Sequence, residues 1–274
     1  MVSKTSPKVH MATLTGGEGR ELYAQNPIVL LPMGSHEDQG PHAPMGDYLL
    51  AEKFAELAAL RATELGVRTV AAPVLPFGGA DYFGSMPGGI ALSQATFRSV
   101  IADILESLQR HGLTRIIIFN GHSGNLGPIA EVTRHLYRHD GILVPSIYLW
   151  RVASGLVPKI VGAEKAAKGS GHGADPLTSI GLHLFPDLMR PDLVPQAMPL
   201  KRDPVLDLPF TANGAVSFEG SEVGMPNEYH DVYWDGVGKG DPRLCSVETG
   251  AALTEQLTDV CARFIQHYAS KTDR

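Results

Sequence analysis

The chain of 274 residues has little cysteine, no long apolar run and no cluster of basic residues. Two cysteines, Cys245 and Cys261, are too few for a disulfide framework. No apolar run approaches the roughly 20 residues that a helix needs to cross a bilayer, and residues 1–19 are polar, without the apolar core of a signal peptide. These absences exclude a disulfide-stapled secreted scaffold, and we expect a cytoplasmic protein that does not act in the membrane.

The charge balance also limits the classes of binding partner that we expect. The net charge is −6, and the lysines and arginines do not form a basic run. Because neutralising phosphates requires clustered cations, we expect neither nucleic acid nor an anionic membrane as a partner. A small-molecule substrate is the expectation that remains. With 43% hydrophobic residues, the length suits one large core, so we interpret residues 1–274 as a single domain.

Short apolar runs alternate with segments of helical periodicity. Strands are predicted at residues 28–31, 67–74, 115–119 and 142–150, and helices at residues 48–65, 96–110 (with Ser93 as N-cap), 125–139, 178–185 and 248–268. Strands and helices in alternation predict an α/β fold with a mainly parallel central sheet, covered by helices on both faces.

One long stretch does not fit this alternation. Residues 186–240 are rich in Pro, Gly and Asp, and we predict a long irregular segment there. Its last part, residues 213–241, leaves three possibilities open: a pocket lining, a lid or a contact between subunits. The polar and aromatic residues that suggest them are Glu219, Glu222, Glu228, His230, Trp234 and Asp235.

Two loops that follow predicted strands carry acidic and imidazole side chains. The first runs Gly34-Ser35-His36-Glu37-Asp38-Gln39-Gly40-Pro41-His42 and reaches Asp47; the second runs Asn120-Gly121-His122-Ser123-Gly124-Asn125. Loops that leave buried strands in α/β proteins commonly bind ligands. Each residue also has a purely structural interpretation: Glu37 as a turn cap, Asp47 as a helix N-cap and His122 as a hydrogen-bonded loop residue.

A third cluster lies in a glycine-rich loop before the helix at residues 178–185. It contains His172 and Asp175. Asp175 is either an N-cap, with Pro176 at the first helical position, or a functional carboxylate. His172 has few apolar neighbours in the sequence, which indicates a ligand or a proton-transfer group. Other histidines are predicted to be solvated on helix ends or exposed faces: His111, His135, His139 and His267.

Carboxylate and imidazole ligands together suit Zn²⁺, Mn²⁺ or Fe²⁺. We therefore predict Glu37, Asp47 and His122 as metal ligands, with zinc or manganese favoured and iron as an alternative. A divalent metal supplies an activated water and polarises a carbonyl group, while His172 or Asp175 is the predicted catalytic group that carries the proton to the leaving group. The nucleophile elbow Gly-x-Ser-x-Gly and a dinucleotide fingerprint are both missing.

These motifs resemble one known family. The chain is similar to the creatininase (creatinine amidohydrolase) family in the order of four motifs: Gly-Ser-x-Glu-x-x-Gly-Pro-His-x-Pro from Gly34, Asp47 opening a helix, Asn-Gly-His-x-x-Asn from Asn120, and a His-Gly loop before Thr178-Ser179. The resemblance runs from about residue 28 to 185. It implies a three-layer α/β/α fold, hydrolysis of an amide-type C–N bond at a one- or two-metal centre, and a homo-hexamer. It also implies that Glu37, Asp47 and His122 are ligands, the aspartate bridging two metals.

The chain departs from the family's pattern where the second metal is held. Gln39 replaces a histidine ligand, and Gly124 and Leu177 stand where the family supplies a glutamate. We therefore expect one firmly held metal and a second that is weak, absent or rescued by His36, Asp38 or Asp175. The family's tyrosine and tryptophan substrate contacts have no clear match at Ser123 or near Gly171, which argues against creatinine itself.

Three functions remain open at this stage. The favoured one is metal-dependent hydrolysis of a small amide, cyclic or linear with the cyclic form preferred, in which an activated water attacks the carbonyl. The first alternative is a ring-opening C–C hydrolase of a cyclic polyol ketone of the keto-inositol type. The second is a non-catalytic oligomer that binds a small molecule or a metal.

Overall fold

The computed structural model describes residues 7–80, 82, 86–196, 206–212, 214–226 and 236–272. Its central sheet consists of β1 (Ile28–Met33), β2 (Thr69–Ala71), β3 (Ile116–Asn120) and β4 (Ser146–Tyr148). All pairings are parallel, in the order β2-β1-β3-β4. The residues of β1, β2 and β3 are fully buried, as expected for strands covered on both faces.

Helices follow the strands in the predicted alternation. They are α1 (Gly16–Tyr23), α2 (Tyr48–Glu64), α3 (Gln94–Arg110), α4 (Leu126–Asp140), α5 (Leu149–Val161), α6 (Ala163–Gly169), α7 (Leu177–Leu184) and α8 (Val247–Thr272). Ser93 caps α3 as predicted, since its hydroxyl accepts a hydrogen bond from the Thr96 amide. Helices α1, α5 and α6 have no counterpart among the predicted elements.

Alternating residues of the strands face two separate apolar clusters. Ile28, Leu30, Ile117 and Phe119 pack with buried residues of α2, α5 and α8 on one face of the sheet. Val29, Leu31, Ile116 and Ile118 pack with α3 and α4 on the other. This is the predicted α/β class in a three-layer α/β/α arrangement with a parallel sheet, so the fold prediction is confirmed.

The strand predicted at residues 142–150 is wrong in extent. Only Ser146–Tyr148 pair, with β3, and this strand lies at the edge of the sheet, partly exposed. The helix α5 begins at Leu149, because its apolar residues follow helical spacing: Leu149, Trp150, Ala153, Leu156 and Val157.

The segment 186–240 is less irregular than the sequence suggests. Within its described part, β5 (Phe210–Ala212), β6 (Ala215–Phe218) and β7 (Ser221–Gly224) form a small antiparallel sheet. Glu219 and Glu222 are exposed on the β6–β7 hairpin. Glu228, His230, Trp234 and Asp235 lie outside the described residues. No helix in the described part of the chain is long and apolar enough to cross a membrane.

Candidate active site and metal centre

The site lies where β1 and β3 end side by side. Met33, the last residue of β1, is in register with Asn120, the last residue of β3. From β1 the chain crosses to β2 on one side and later returns to β3 on the other, so this is the switch point of the sheet. The crevice beyond the carboxyl ends of strands at a switch point is where open α/β sheets bind ligands.

The side chain of Asn125 links the loops after β1 and β3 by hydrogen bonds. Its Nδ2 donates to the Gly34 carbonyl (3.1 Å) and to Asn120 Oδ1 (3.2 Å), and its Oδ1 accepts from the Gly79 amide (2.9 Å). Asn125 is fully buried, which strengthens these bonds and makes their loss costly. The loops after β1 and β3 therefore form one fixed frame.

Glu37, Asp47 and His122 converge within this frame. One ligand atom from each lies within 4.8 Å of the others, and the side chains are 6%, 3% and 2% exposed. His122 Nδ1 is 3.3 Å from Glu37 Oε1 and 3.3 Å from Asp47 Oδ2. A charge-assisted hydrogen bond would be shorter, about 2.7–2.9 Å. Two ligands about 2.1 Å from a common tetrahedral zinc lie about 3.4 Å apart, so the spacing fits a shared cation.

Neighbouring groups fix the two carboxylates. The Ser35 amide donates to Asp47 Oδ1 (2.7 Å), and Gln39 Nε2 donates to Glu37 Oε1 (3.0 Å). Asp47 stands at the N-cap position of α2, but its side chain makes no capping bond to that helix. The capping interpretation of Asp47 is therefore wrong, and the carboxylate is turned towards His122.

Burial and mutual charge shift the protonation of this group. Burial raises the pKa of Asp47 to about 7, although the neighbouring His122 imidazole opposes it. Burial disfavours the His122 imidazolium, but the carboxylates of Glu37 and Asp47 outweigh this effect and raise the pKa of His122. Without a cation the group therefore retains protons near neutral pH, and a bound divalent ion would take their place.

A cavity of about 230 Å³ opens onto the three side chains. His172 and Asp175 also line it, so the structure brings all five predicted site residues to one cavity. A larger groove of about 810 Å³ lies between α3 and α4, but it contains none of them. His135 and His139 line that groove and are exposed, as are His111 and His267, which confirms the prediction for these four histidines.

His172 is held by the loop after β1. Its Nε2 lies 2.7 Å from the Asp38 carbonyl oxygen. A carbonyl can only accept, so Nε2 carries the hydrogen and Nδ1 the lone pair in the neutral ring. Burial lowers the pKa of His172, while the Glu37 carboxylate partly offsets this effect. The imidazole is therefore neutral near pH 7.

Asp175 is buried but does not cap α7. The N-cap position is Pro176, without a side-chain capping bond, so the capping interpretation of Asp175 is wrong. Its carboxyl group contacts the Cys245 thiol, whose pKa rises through burial and the nearby carboxylate. The other cysteine, Cys261, is buried in the core under α8.

Comparison with known proteins decides the family. The profile of the creatininase family, described as creatinine amidohydrolase, matches residues 12–265. The chain belongs to the creatininase family. This confirms the resemblance seen in the motifs and identifies a metal-dependent hydrolase of the creatininase type, since a buried Glu-Asp-His group is present.

Three relatives of known activity share sequence with the chain. The mycofactocin precursor peptide peptidase of Mycolicibacterium smegmatis is 26% identical over 255 residues, 91% of this chain and 88% of that protein. The creatinine amidohydrolase of Pseudomonas putida is 30% identical over 180 residues, 61% of this chain and 68% of that protein. The 3-dehydro-scyllo-inosose hydrolase of Thermotoga maritima is 31% identical over 116 residues, 42% of this chain and 36% of that protein.

Solved creatininases share the fold. The manganese form of creatininase has a TM-score of 0.69 at 23% identity, and the alignment covers 98% of this chain and 100% of that one. A mutant creatininase of the Zn-Zn type has a TM-score of 0.68 at 24% identity with the same coverage. At these identities the likeness establishes the three-layer architecture.

The departures from the creatininase pattern have structural consequences. Gln39 is buried and bonded to Glu37 rather than presenting an imidazole. A Cβ at Gly124 would collide with the Gly79 carbonyl and lie 2.7 Å from His122 Nε2, so this backbone leaves no room there for a glutamate. Leu177 lines the cavity with an apolar side chain.

Of the three residues expected to rescue a second metal, only Asp175 lines the cavity. Asp38 Oδ1 accepts a hydrogen bond from the Gly40 amide (2.7 Å) and so closes a turn. His36 is partly buried, and its ring centroid lies 6.0 Å from that of Tyr48.

Two aromatic residues of the cavity escaped the sequence prediction. Tyr148 and Trp150 both line it. Burial raises the pKa of Tyr148 to about 12, so its phenol stays protonated and can donate a hydrogen bond. The indole nitrogen of Trp150 donates to the Gly121 carbonyl. Tyr148 is the last residue of β4. Functional residues are expected at the carboxyl ends of the strands, so a correct end for this strand in the prediction would have indicated Tyr148.

Proposed function

We propose that this creatininase-family hydrolase cleaves the C–N bond of a small, cyclic amide at one divalent metal held by Glu37, Asp47 and His122. The observation that carries the proposal is the spacing of these three buried side chains about one point. Zinc or manganese, as in the two solved creatininases, suits their oxygen and nitrogen donors, and iron is the alternative.

The bound cation would supply Lewis-acid polarisation of the carbonyl and a nucleophilic water at neutral pH. The chain's own residues do the rest. Gln39 and the Ser35 amide hold the two carboxylates in place. Tyr148 is a neutral donor on the cavity wall, suited to hydrogen-bond a carbonyl oxygen as it gains charge.

We assign the proton transfer to His172. Its Nε2 is committed to the Asp38 carbonyl, which fixes the ring and places the lone pair on Nδ1. A neutral imidazole near pH 7 can take a proton from the attacking water and return it to the leaving nitrogen. Asp175, on the same cavity wall, is the alternative proton carrier.

The residues around the cavity provide ligands for one tightly bound metal ion. The three ligands make one shell, whereas Gln39, Gly124 and Leu177 provide neither the imidazole nor the glutamate of a second one. We therefore propose one metal per chain, with any second ion weakly held.

The cavity favours a small substrate. Its volume of about 230 Å³ lies below the roughly 300–1,000 Å³ of sites for drug-sized ligands. Two relatives, an amidohydrolase and a peptidase, support amide chemistry. A ring-opening hydrolase of a keto-inositol is the second candidate, supported by the hydroxyl groups of Ser123, Tyr148 and Ser154 on the cavity wall and by the inosose hydrolase relative.

Turnover of a substrate panel tests these candidates. Lactams, formamides and keto-inositols would be offered to protein loaded with Zn²⁺ or Mn²⁺ and followed by product analysis. We expect cleavage of a cyclic amide that is lost in Glu37→Gln. Cleavage of keto-inositols alone would replace the amide by the C–C reaction, and no turnover with either metal would favour a non-catalytic binding protein.

We also propose that the chain assembles as a homo-hexamer in the cytoplasm, as its family resemblance implies. Light scattering coupled to size-exclusion chromatography tests the assembly: a mass of six chains is expected, and a monomer would overturn it.

A further inference from the structure

Two residues that line the active-site cavity each have a buried side-chain oxygen that accepts no hydrogen bond. These oxygens are Gln39 Oε1 and Asp175 Oδ1, and among the described residues neither has a partner. Gln39 is 4% exposed and Asp175 is 2% exposed. Both side chains line the cavity that opens onto Glu37, Asp47 and His122. Buried acceptors are satisfied in nearly all folded proteins, so two in one cavity indicate a missing donor.

Local bonds fix the direction of the Gln39 oxygen. Gln39 Nε2 donates to Glu37 Oε1 at 3.0 Å. The reversed amide would set its oxygen against the carboxylate, which cannot donate, so the amide orientation is determined. The oxygen therefore points away from Glu37.

Asp175 is held just as firmly. Its amide donates to the Gly169 carbonyl (3.0 Å), and its carbonyl accepts from the Gly171 amide (2.9 Å). The Cys245 thiol contacts its carboxyl group and also the side chain of Ser179. Asp175 Oδ1 is thus presented by a fixed loop.

The charges of the cavity define which donor is suitable. Three carboxyl groups line the cavity, those of Glu37, Asp47 and Asp175, and among the described residues no lysine or arginine lines it. An anionic group would be repelled, whereas a neutral or positively charged donor would be attracted.

We propose that Gln39 and Asp175 form a subsite for a hydrogen-bond-donating group of the substrate, an N–H or O–H of neutral or positive charge near the carbonyl that is attacked. This inference rests on the proposed function, since it places that carbonyl at Glu37, Asp47 and His122. The two residues then determine specificity, because a substrate without the donor leaves both acceptors unpaired.

A second cation is the competing occupant of these oxygens. Among the histidines, cysteines, aspartates and glutamates of the described residues, only Glu37, Asp47 and His122 gather as a group of three that could hold a metal. Gln39 and Asp175 add an amide and a carboxylate without a third clustered ligand. A donor group of the substrate therefore fits the two acceptors better.

Matched probes test the subsite by binding. Pyrrolidin-2-one bearing an amino, hydroxyl, methyl or carboxylate group at carbon 3 keeps the carbonyl and changes only the donor. Affinity for the zinc-loaded protein would be measured by ligand-observed NMR, which also reports whether a probe is cleaved. We expect the amino and hydroxyl probes to bind about tenfold or more tightly than the methyl probe, and the carboxylate probe to bind most weakly. The ratio of amino to hydroxyl affinity distinguishes a cationic nitrogen from a hydroxyl group as the natural donor.

Variants connect this preference to the two residues. Gln39→Met removes the amide oxygen at similar volume, and Asp175→Ala removes both carboxyl oxygens; each should reduce the donor preference to within about threefold. Asp187→Ala, the same change at an exposed position, should leave the preference unchanged. Zinc content is measured for every variant, and if Gln39→Met releases zinc because Glu37 loses its partner, Asp175→Ala alone decides.

The outcomes separate this inference from the proposed function. Equal binding of all probes, binding of none, or a preference that survives both substitutions would overturn the subsite. Two zinc ions per chain falling to one in Asp175→Ala would also overturn it, in favour of a second metal site. A clear donor preference without cleavage of any amide would support the subsite and count against amide hydrolysis.

Discussion

At the scale of single residues, Asp47 and His122 hold protons that a metal ion must displace. Burial raises the pKa of Asp47 to about 7, and the two carboxylates raise the pKa of His122. Because ligands bind metal in their deprotonated forms, zinc affinity should increase as the pH rises from 6 towards 8. We expect about a tenfold gain per pH unit for each displaced proton.

Calorimetry in two buffers of different ionisation enthalpy measures this proton release directly. Zinc binding at pH 6.5 should release at least one proton per ion. A dissociation constant that stays the same between pH 6 and 8, with no proton release, would show that the three side chains are not the ligands.

His172 carries a separate prediction, because it lines the cavity without joining the three ligands. His172→Gln keeps a polar side chain but cannot exchange a proton near neutral pH. We expect kcat on the panel substrate to fall by about 10²–10⁴, with zinc content unchanged and the acidic limb of the pH–rate profile lost.

The same substitution at exposed His135 serves as the control for His172. If His172→Gln kept full kcat and the pH profile, proton transfer would pass to Asp175.

At the scale of elements, the loops that carry the ligands are joined by Asn125. Asn125→Ala leaves the Gly79 amide, the Gly34 carbonyl and Asn120 Oδ1 without this partner. We expect the free energy of unfolding to fall by about 3 kcal/mol, since buried unpaired groups are costly. Zinc affinity should fall as well, because the two loops that carry the ligands lose the hydrogen bonds that link them through Asn125.

Thr15→Ala is the matched control, because it removes the N-cap of α1, a helix that contributes no residue to the cavity. Urea denaturation should show a loss of about 1 kcal/mol, with zinc affinity unchanged. Equal zinc affinity in Asn125→Ala and the native protein would contradict the proposed role of the loop frame.

The elements that could be predicted from the sequence are those with an unambiguous period. Helix α3 shows an apolar stripe and a serine cap, and the buried strands β1 and β3 are continuous apolar runs. The run Ile142–Trp150 contains both an edge strand and the first turn of α5, and apolar character alone does not separate them. That is why Tyr148 was missed as a cavity residue.

Other parts of the site needed three-dimensional information. Asp47 and Asp175 both precede helices, so capping explained them equally well. The missing capping bond of Asp47 and the N-cap position of Pro176 exclude it. The pairing of Gln39 with Glu37 and the crowding at Gly124 depend on the fold of the loops. The convergence of Glu37 and His122 was predictable because residues that follow parallel strands meet at one edge of a sheet.

At the scale of the whole molecule, the buried acidic group links stability to pH and metal. The folded-state pKa values of Asp47 and His122 are both raised, so folding is favoured by their protonated forms. The contribution of this group to the stability of the metal-free protein should therefore be greatest near pH 4. It should decrease as the pH rises from there through 7.

We expect the melting temperature of the chelator-treated protein to fall by several degrees between pH 6 and 8. Zinc should raise it, and by more at pH 8, because the ion binds only the folded site. A metal-free protein that becomes more stable over this pH range would contradict the protonation of the group.

The central claim is that Glu37, Asp47 and His122 bind one divalent cation, and metal content per chain tests it most directly. Protein purified without added metal should contain about one equivalent of zinc or manganese. Glu37→Gln and His122→Ala should each contain less than about a tenth of that, while Glu106→Gln and His135→Ala, at exposed positions, should match the native protein. No bound metal in the native protein, or one full equivalent in either ligand variant, would contradict the account.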